Sequence, residues 1–260
     1  MRPLRAGATA LAAALTLTLA LTLAGCGVGA SGDDRTRLTV LAAASLTEPF
    51  DELAQEFEAS HDGVDVVLGY DSSSTLAAQV VEGAPADVLA TADARTMRIA
   101  EEAGATRGEP ATFATNSLVV VVPAGNPADV DSFADLQRDD VTYVACAESA
   151  PCGALARDLL DRNRVTSRPR SLEVDVKAVL TKVELDEADA GLVYASDAVA
   201  AGDAVETLPV PHASEAPNSY LVAPVQQSAE PDLAAEWVEL VLSDRGRQVL
   251  DDAGFGGPTP

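Results

Sequence analysis

Histidine, aromatic residues and basic charge are all scarce in this 260-residue chain, and each scarcity closes off a class of function. His61 precedes Asp62-Gly63 in a turn and His212 lies in a proline-rich stretch, so neither has a nucleophile or metal partner in its own segment. Catalysis with imidazole as the base is therefore unsupported. No Gly-rich phosphate loop follows the first strand pattern and no G-x-S-x-G elbow occurs, which removes the common nucleotide and serine-hydrolase signatures. Seventeen Lys and Arg stand against 41 Asp and Glu, a formal charge of −24. An imbalance of that sign makes nucleic acid an improbable partner. The acidic residues are scattered, as on a solvated surface. Aromatics make up only 4% of the chain, and the abundant Ala, Val and Leu suit helices packed on a parallel sheet. No tandem repeat is present.

The chain opens with Arg2 and Arg5, an apolar run over 11–23 and small residues up to Cys26. That pattern predicts a secretory signal over 1–25, to be excluded from the fold. The run is short for a spanning helix, and residues 27–34 carry no basic stop-transfer flank. Leu23-Ala-Gly-Cys26 resembles the lipobox of bacterial lipoproteins, which implies a lipid on Cys26 as the mature first residue and a flexible tether over 26–36. Loss of Arg2 and Arg5 leaves 15 basic against 41 acidic residues, or −26. A bound anion must then be held by local dipoles against the long-range field. Cys146 and Cys152 remain, in a compartment where disulfides persist. They read as a short bridge, with free thiols as the alternative, and a zinc site is unlikely at Cys-x5-Cys spacing without nearby His.

The stretch from Leu38 to Glu48 organises the remainder. Residues 38–41 form a buried parallel strand by composition, and Phe50, Leu53, Ala54 and Phe57 recur at helical spacing. Ser45 stands three residues before Glu48, the capping-box spacing, so its hydroxyl and the first free N–H groups of the helix face the end of the strand. Unpaired donors at a positive dipole end suit an anion, although a helix cap alone explains the same spacing. The design recurs. Residues 64–69 lead through Tyr70-Asp-Ser-Ser-Ser-Thr75 into a helix, and 87–90 lead to Asp93 as N-cap. Residues 118–123 read as a central strand and 141–145 as another, the latter followed by Pro151 opening a helix. Asp175 caps a helix carrying Val176 and Val179, and residues 191–194 form a strand ending in Tyr194. A last strand over 220–225 precedes a helix over 231–242 in which Trp237 packs inward. Repeated strand-to-helix junctions predict a doubly wound α/β sheet with its ligand beyond the carboxyl ends of the strands.

Ala42-Ala-Ala-Ser-Leu-Thr47, Ser72-Ser-Ser-Thr-Leu-Ala77, Gly83-Ala-Pro-Ala-Asp-Val88, Asn116-Ser-Leu-Val-Val-Val121 and Ala190-Gly-Leu-Val-Tyr-Ala-Ser-Asp197 resemble, in order, the signature segments of the molybdate-binding proteins of bacterial ABC importers. The resemblance covers residues 37–255. It implies the type II periplasmic binding protein fold: two α/β lobes, with a ligand cleft between them and two crossover segments near Ser117 and Ser219. By that analogy 37–117 and 220–260 form the first lobe and 118–219 the second. Carried over by position, the oxyanion meets Ser45, Ser73, the backbone N–H of Ala92, Cys152 and Val176, and the Tyr194 hydroxyl.

The implied function is extracytoplasmic capture of molybdate, with tungstate, and delivery to a membrane permease. The implied protein is a monomer lipid-anchored to the membrane, with no enzyme activity, no cofactor and no metal cation. Cys152 stands where relatives often carry alanine, a change a backbone contact tolerates. Asp71, beside the serines, would repel a fully ionised oxyanion but accept a proton from hydrogen phosphate, so sulfate or phosphate is the alternative ligand. From other classes, a hydrolase using Ser45 or Ser73 and a structural lipoprotein remain. Ester turnover as against a thermal shift with an oxyanion separates them.

Overall fold

The computed structural model describes residues 35–258. The signal over 1–25 and the lipidated Cys26 lie outside the described residues. The chain alternates strand and helix almost throughout: β1 (Thr36–Ala43), α1 (Thr47–Ser60), β2 (Val64–Asp71), α2 (Ser73–Val81), β3 (Val88–Thr91), α3 (Ala94–Glu102), β4 (Ala111–Asn116) and β5 (Leu118–Pro123). There follow β6 (Tyr143–Cys146), α4 (Pro151–Arg162), β7 (Ser171–Glu173), α5 (Val176–Glu184), β8 (Ala190–Tyr194), α6 (Ala195–Ala201), β9 (Val205–Pro209), β10 (Asn218–Pro224), α7 (Pro231–Leu242) and α8 (Asp244–Asp252).

These strands form two five-stranded sheets, in the orders β2-β1-β3-β10-β4 and β7-β6-β8-β5-β9. Helices pack on each, so the molecule is a pair of α/β lobes. Each sheet has a parallel core, β2-β1-β3 in one and β7-β6-β8 in the other. Each is extended by strands that run antiparallel, β10 between β3 and β4 and β5 between β8 and β9. The inner parallel strands are largely apolar because helices cover them: Leu38, Val40 and Ala42 of β1 and Leu192 and Val193 of β8 are buried.

The chain passes between sheets twice. It leaves the first between β4 and β5, at Ser117, and returns after β9 into β10. Because β4 pairs with β10 and β5 with β9, the two passages lie side by side, with Asn116 in register with Asn218.

In the first lobe the core is closed from the C-terminal side. Trp237 of α7 is fully buried and meets Phe50 and Phe57 of α1 edge-on, with ring centroids 5.6 Å apart in each case. Packing, rather than ligand binding, therefore explains Trp237. A second helix turns off α7 directly: Ser243 caps α8 by accepting the N–H of Gly246 at 3.1 Å, and a Cβ on Gly246 would lie 2.4 Å from the Leu240 carbonyl oxygen. Arg245 of α8 then reaches Glu52 and Glu56 of α1.

Candidate functional site

The carboxyl ends of the parallel strands in the two sheets face a common cavity. Its wall is formed by Ala43, Ala44 and Ser45 after β1, Asp71, Ser72 and Ser73 between β2 and α2, Ala92 after β3, Pro151 and Cys152 opening α4, Asp175 and Val176 opening α5, and Tyr194 ending β8. All six residues predicted from sequence, Ser45, Ser73, Ala92, Cys152, Val176 and Tyr194, line it. The volume is about 20 Å³, far below the roughly 300–1,000 Å³ of a cleft for an organic ligand. A space of that size admits only a few atoms.

Among the described residues, no cationic side chain lines the cavity. Its polarity comes from hydroxyls and from the N-terminal turns of α2, α4 and α5, whose first N–H groups have no acceptor within their own helix. Pro151 at the start of α4 supplies a fixed φ where no N–H is needed. Asp175 caps α5 by accepting the Ala178 N–H at 2.9 Å, and Asp93 caps α3 through the Thr96 N–H at 2.7 Å. Both caps fall where the sequence put them.

Ser45 is different. The capping box with Glu48 does not form. After β1 the chain makes a 3-10 turn over Ala44–Leu46, so α1 starts at Thr47 with Leu46 at its N-cap. The Ser45 hydroxyl pairs instead with the Tyr220 hydroxyl at 2.8 Å, and Glu48 turns to Lys177.

A buried run of hydroxyls and amides stands behind the cavity. Asn218 Nδ2 donates to the Tyr194 hydroxyl at 2.7 Å, leaving the Tyr194 proton free to be donated onward. The rings of Tyr194 and Tyr220 meet edge-on at 5.8 Å. Burial pushes both phenols well above their ordinary pKa, so each is a neutral donor at physiological pH. Asn116 Nδ2 donates to Ser196 at 2.8 Å. Tyr220 and Asn218 carry no local signal in the sequence. They are brought to the site by β10, and Tyr220 lies 175 positions from its partner Ser45.

Ala92 contributes through its backbone. Its N–H donates to the Ser73 hydroxyl oxygen at 2.9 Å, which fixes that hydroxyl and turns the serine proton away from Ala92. The two carboxylates in the wall are also engaged by backbone, Asp71 accepting the Ser72 N–H at 2.6 Å and Asp175 the Ala178 N–H. Cys152 is bonded to Cys146, with Cα atoms 5.8 Å apart. The bridge ties the first turn of α4 to the end of β6. Gly153 fits the tight loop because a Cβ there would lie 1.9 Å from the Ala147 carbonyl oxygen.

Residues 38–256 match the family described as bacterial extracellular solute-binding protein. The chain belongs to that family. Among curated relatives of this solute-binding protein, the molybdate-binding protein ModA of Mycobacterium tuberculosis is 41% identical over 221 residues, 85% of each chain. Among solved structures, the periplasmic molybdate-binding protein of Azotobacter vinelandii superposes with a TM-score of 0.75 at 22% identity, covering 85% of this chain and 100% of that one. The sulfate-binding protein SubI of M. tuberculosis also gives 0.75, at 18% identity, covering 87% and 88%. The two structures establish the fold. Family membership carries the extracytoplasmic location, and among the described residues no helix is long and apolar enough to cross a membrane.

Proposed function

We propose that this solute-binding protein captures molybdate, and tungstate with it, and hands the anion to the membrane permease of an ABC importer. The observation that carries the reading is the convergence of neutral donors, Ser45, Ser73, Cys152, Val176 and Tyr194, on one few-atom cavity without a cation. Ala92 holds the Ser73 hydroxyl in place. Charge-assisted hydrogen bonds contribute about 1.5–3 kcal/mol each, so a small set of them suffices for tight binding. Identity to the mycobacterial ModA supports molybdate as the anion. Discrimination against sulfate rests on cavity size, since the charge is the same.

In this reading the chain binds and releases its ligand unchanged, without catalysis or cofactor. Residues 1–25 are the signal, and the stretch from Cys26 to the start of β1 tethers a monomer to the membrane through lipid on Cys26. The lobes that close on the anion are 36–117 with 218–260, and 118–217, a shift of the expected boundaries at 36 and 219 because β1 begins at Thr36 and β10 at Asn218, both in the first sheet.

A second reading rests on Asp71, a carboxylate in the cavity wall able to accept a proton from hydrogen phosphate. Calorimetric titration of the purified chain with molybdate, tungstate, sulfate and phosphate separates the two. One molybdate per chain, bound more tightly than phosphate, is expected. Tighter phosphate binding overturns the proposal in favour of Asp71-directed recognition.

A further inference from the structure

Beside the cavity, three charged groups from three helices meet. Lys177 follows Val176 in the first turn of α5, in the second lobe. Its Nζ lies 2.7 and 2.9 Å from the two carboxylate oxygens of Glu48, on α1 of the first lobe. The same Nζ stands 3.4 Å from Oδ1 of Asp197, on α6 of the second lobe. Asp197 is fully buried; its Oδ2 accepts the Tyr194 N–H at 3.2 Å, and its Oδ1 accepts no hydrogen bond among the described residues.

We propose that Lys177 is the closing residue of the cleft: an ammonium anchored within its own lobe by Asp197, which crosses to Glu48 of the other lobe and sets how long the anion is retained. The inference rests on the anion-binding reading above and assigns to this triad the control of release.

The asymmetry of the triad gives it direction. Asp197 is buried and lies in the same lobe as Lys177, with 3.4 Å between Oδ1 and Nζ, so this contact does not depend on the lobes meeting. Glu48 is about half exposed, its side chain at 48%, and regains water readily when the lobes part. The breakable contact is therefore Lys177 to Glu48. It lies beside the cavity, because Lys177 adjoins Val176 and Glu48 is three residues beyond Ser45. A ligand that favours the closed form does so through contacts made only there, and this ion pair adds to them without touching the ligand. Arg95 Nη2, which donates to the Ser149 carbonyl at 3.0 Å, makes another contact between the lobes, from an arginine whose Nε lies 3.5 Å from Asp93 of its own lobe but whose partner is a carbonyl and not a charged group.

The test uses Lys177→Met, Glu48→Gln, the double variant and Lys177→Arg in the full chain, with molybdate as the probe. Each single charge removal is expected to speed molybdate dissociation roughly three- to tenfold with little change in association rate, as for a contact formed after encounter. The double variant should be no worse than the weaker single, since both remove one contact, and Lys177→Arg should recover most of the retention. Unchanged dissociation in both singles, with wild type binding molybdate, overturns the proposal. Failure of wild type to bind molybdate instead overturns the anion assignment. The latch is then read without ligand, from amide hydrogen exchange of segments 43–48 and 174–178: faster exchange in Lys177→Met and Glu48→Gln sustains it, and exchange equal to wild type overturns it.

Discussion

At the scale of single residues, the hydroxyl of Ser45 serves two neighbours at once, the cavity and the phenol of Tyr220. Ser45→Ala is expected to weaken anion binding ten- to a hundredfold, the loss of one hydrogen bond to a charged group of about 1.5–3 kcal/mol. Because Tyr220 loses its partner as well, the same substitution should lower the melting temperature of the free chain, which calorimetry and a thermal scan read separately. Unchanged affinity with an intact fold would show that Ser45 supports Tyr220 only. Asp197 offers a prediction in pH. Burial, opposed by Lys177, pushes its carboxyl up to about 7, above the ordinary value of about 3.9 that it has in the unfolded chain. The folded form thus binds the extra proton between about pH 4 and 7. Its contribution to stability is full below about 4 and is lost as pH rises through 7. Groups facing it are Lys177 from α5 and Glu48 from α1. The urea-unfolding free energy of wild type relative to Asp197→Asn should therefore fall by about 2–3 kcal/mol between pH 5 and 8; a pH-independent difference would refute the assignment.

At the scale of elements, what the sequence made legible and what it hid follow one rule. Helices announced by their own caps were readable: Asp93, Pro151 and Asp175 each open a helix as expected, and α7 spans Pro231–Leu242. So were buried strands such as β5, with its four valines. The strands that escaped reading sit at sheet edges. β9 alternates poorly and is largely exposed, β7 is three residues long, and β4 mixes threonines with alanines. Their pairing is decided by a neighbour far along the chain, for which composition carries no cue. At the site the same holds: residues at helix openings were found, whereas Tyr220 and Asn218 were not, because β10 delivers them from outside any local pattern. The Ser45 capping box misled because β1 and the 3-10 turn took the residues that the box needs. The loop from β6 to α4 gives this scale its prediction. Closing so short a segment with the Cys146–Cys152 bond is worth about 2 kcal/mol. Cys152 also lines the cavity, so gentle reduction should lower both the unfolding midpoint and molybdate affinity. A lowered midpoint at constant affinity would mean that the bridge supports the fold alone.

At the scale of the whole molecule, charge and topology pull in separate directions. A chain at −24 repels the anion it is proposed to carry. The site answers with oriented backbone and hydroxyl dipoles and sets one cation, Lys177, outside the cavity wall, where it bonds protein rather than ligand. The side-by-side passages between the sheets have an effect of another kind, on the order in which the molecule is made. Because β10 is inserted between β3 and β4, the sheet of the first lobe lacks an interior strand until residues 218–224 arrive. Every strand of the second sheet falls between 118 and 209. A chain synthesised and exported from its N-terminus therefore completes its later lobe first, while the earlier one waits with β3 and β4 unpaired on their facing sides. Its exposed strand edges are open to other chains for that interval. Contacts as distant in sequence as Ser45 with Tyr220 close only after that, at a high loop-closure cost.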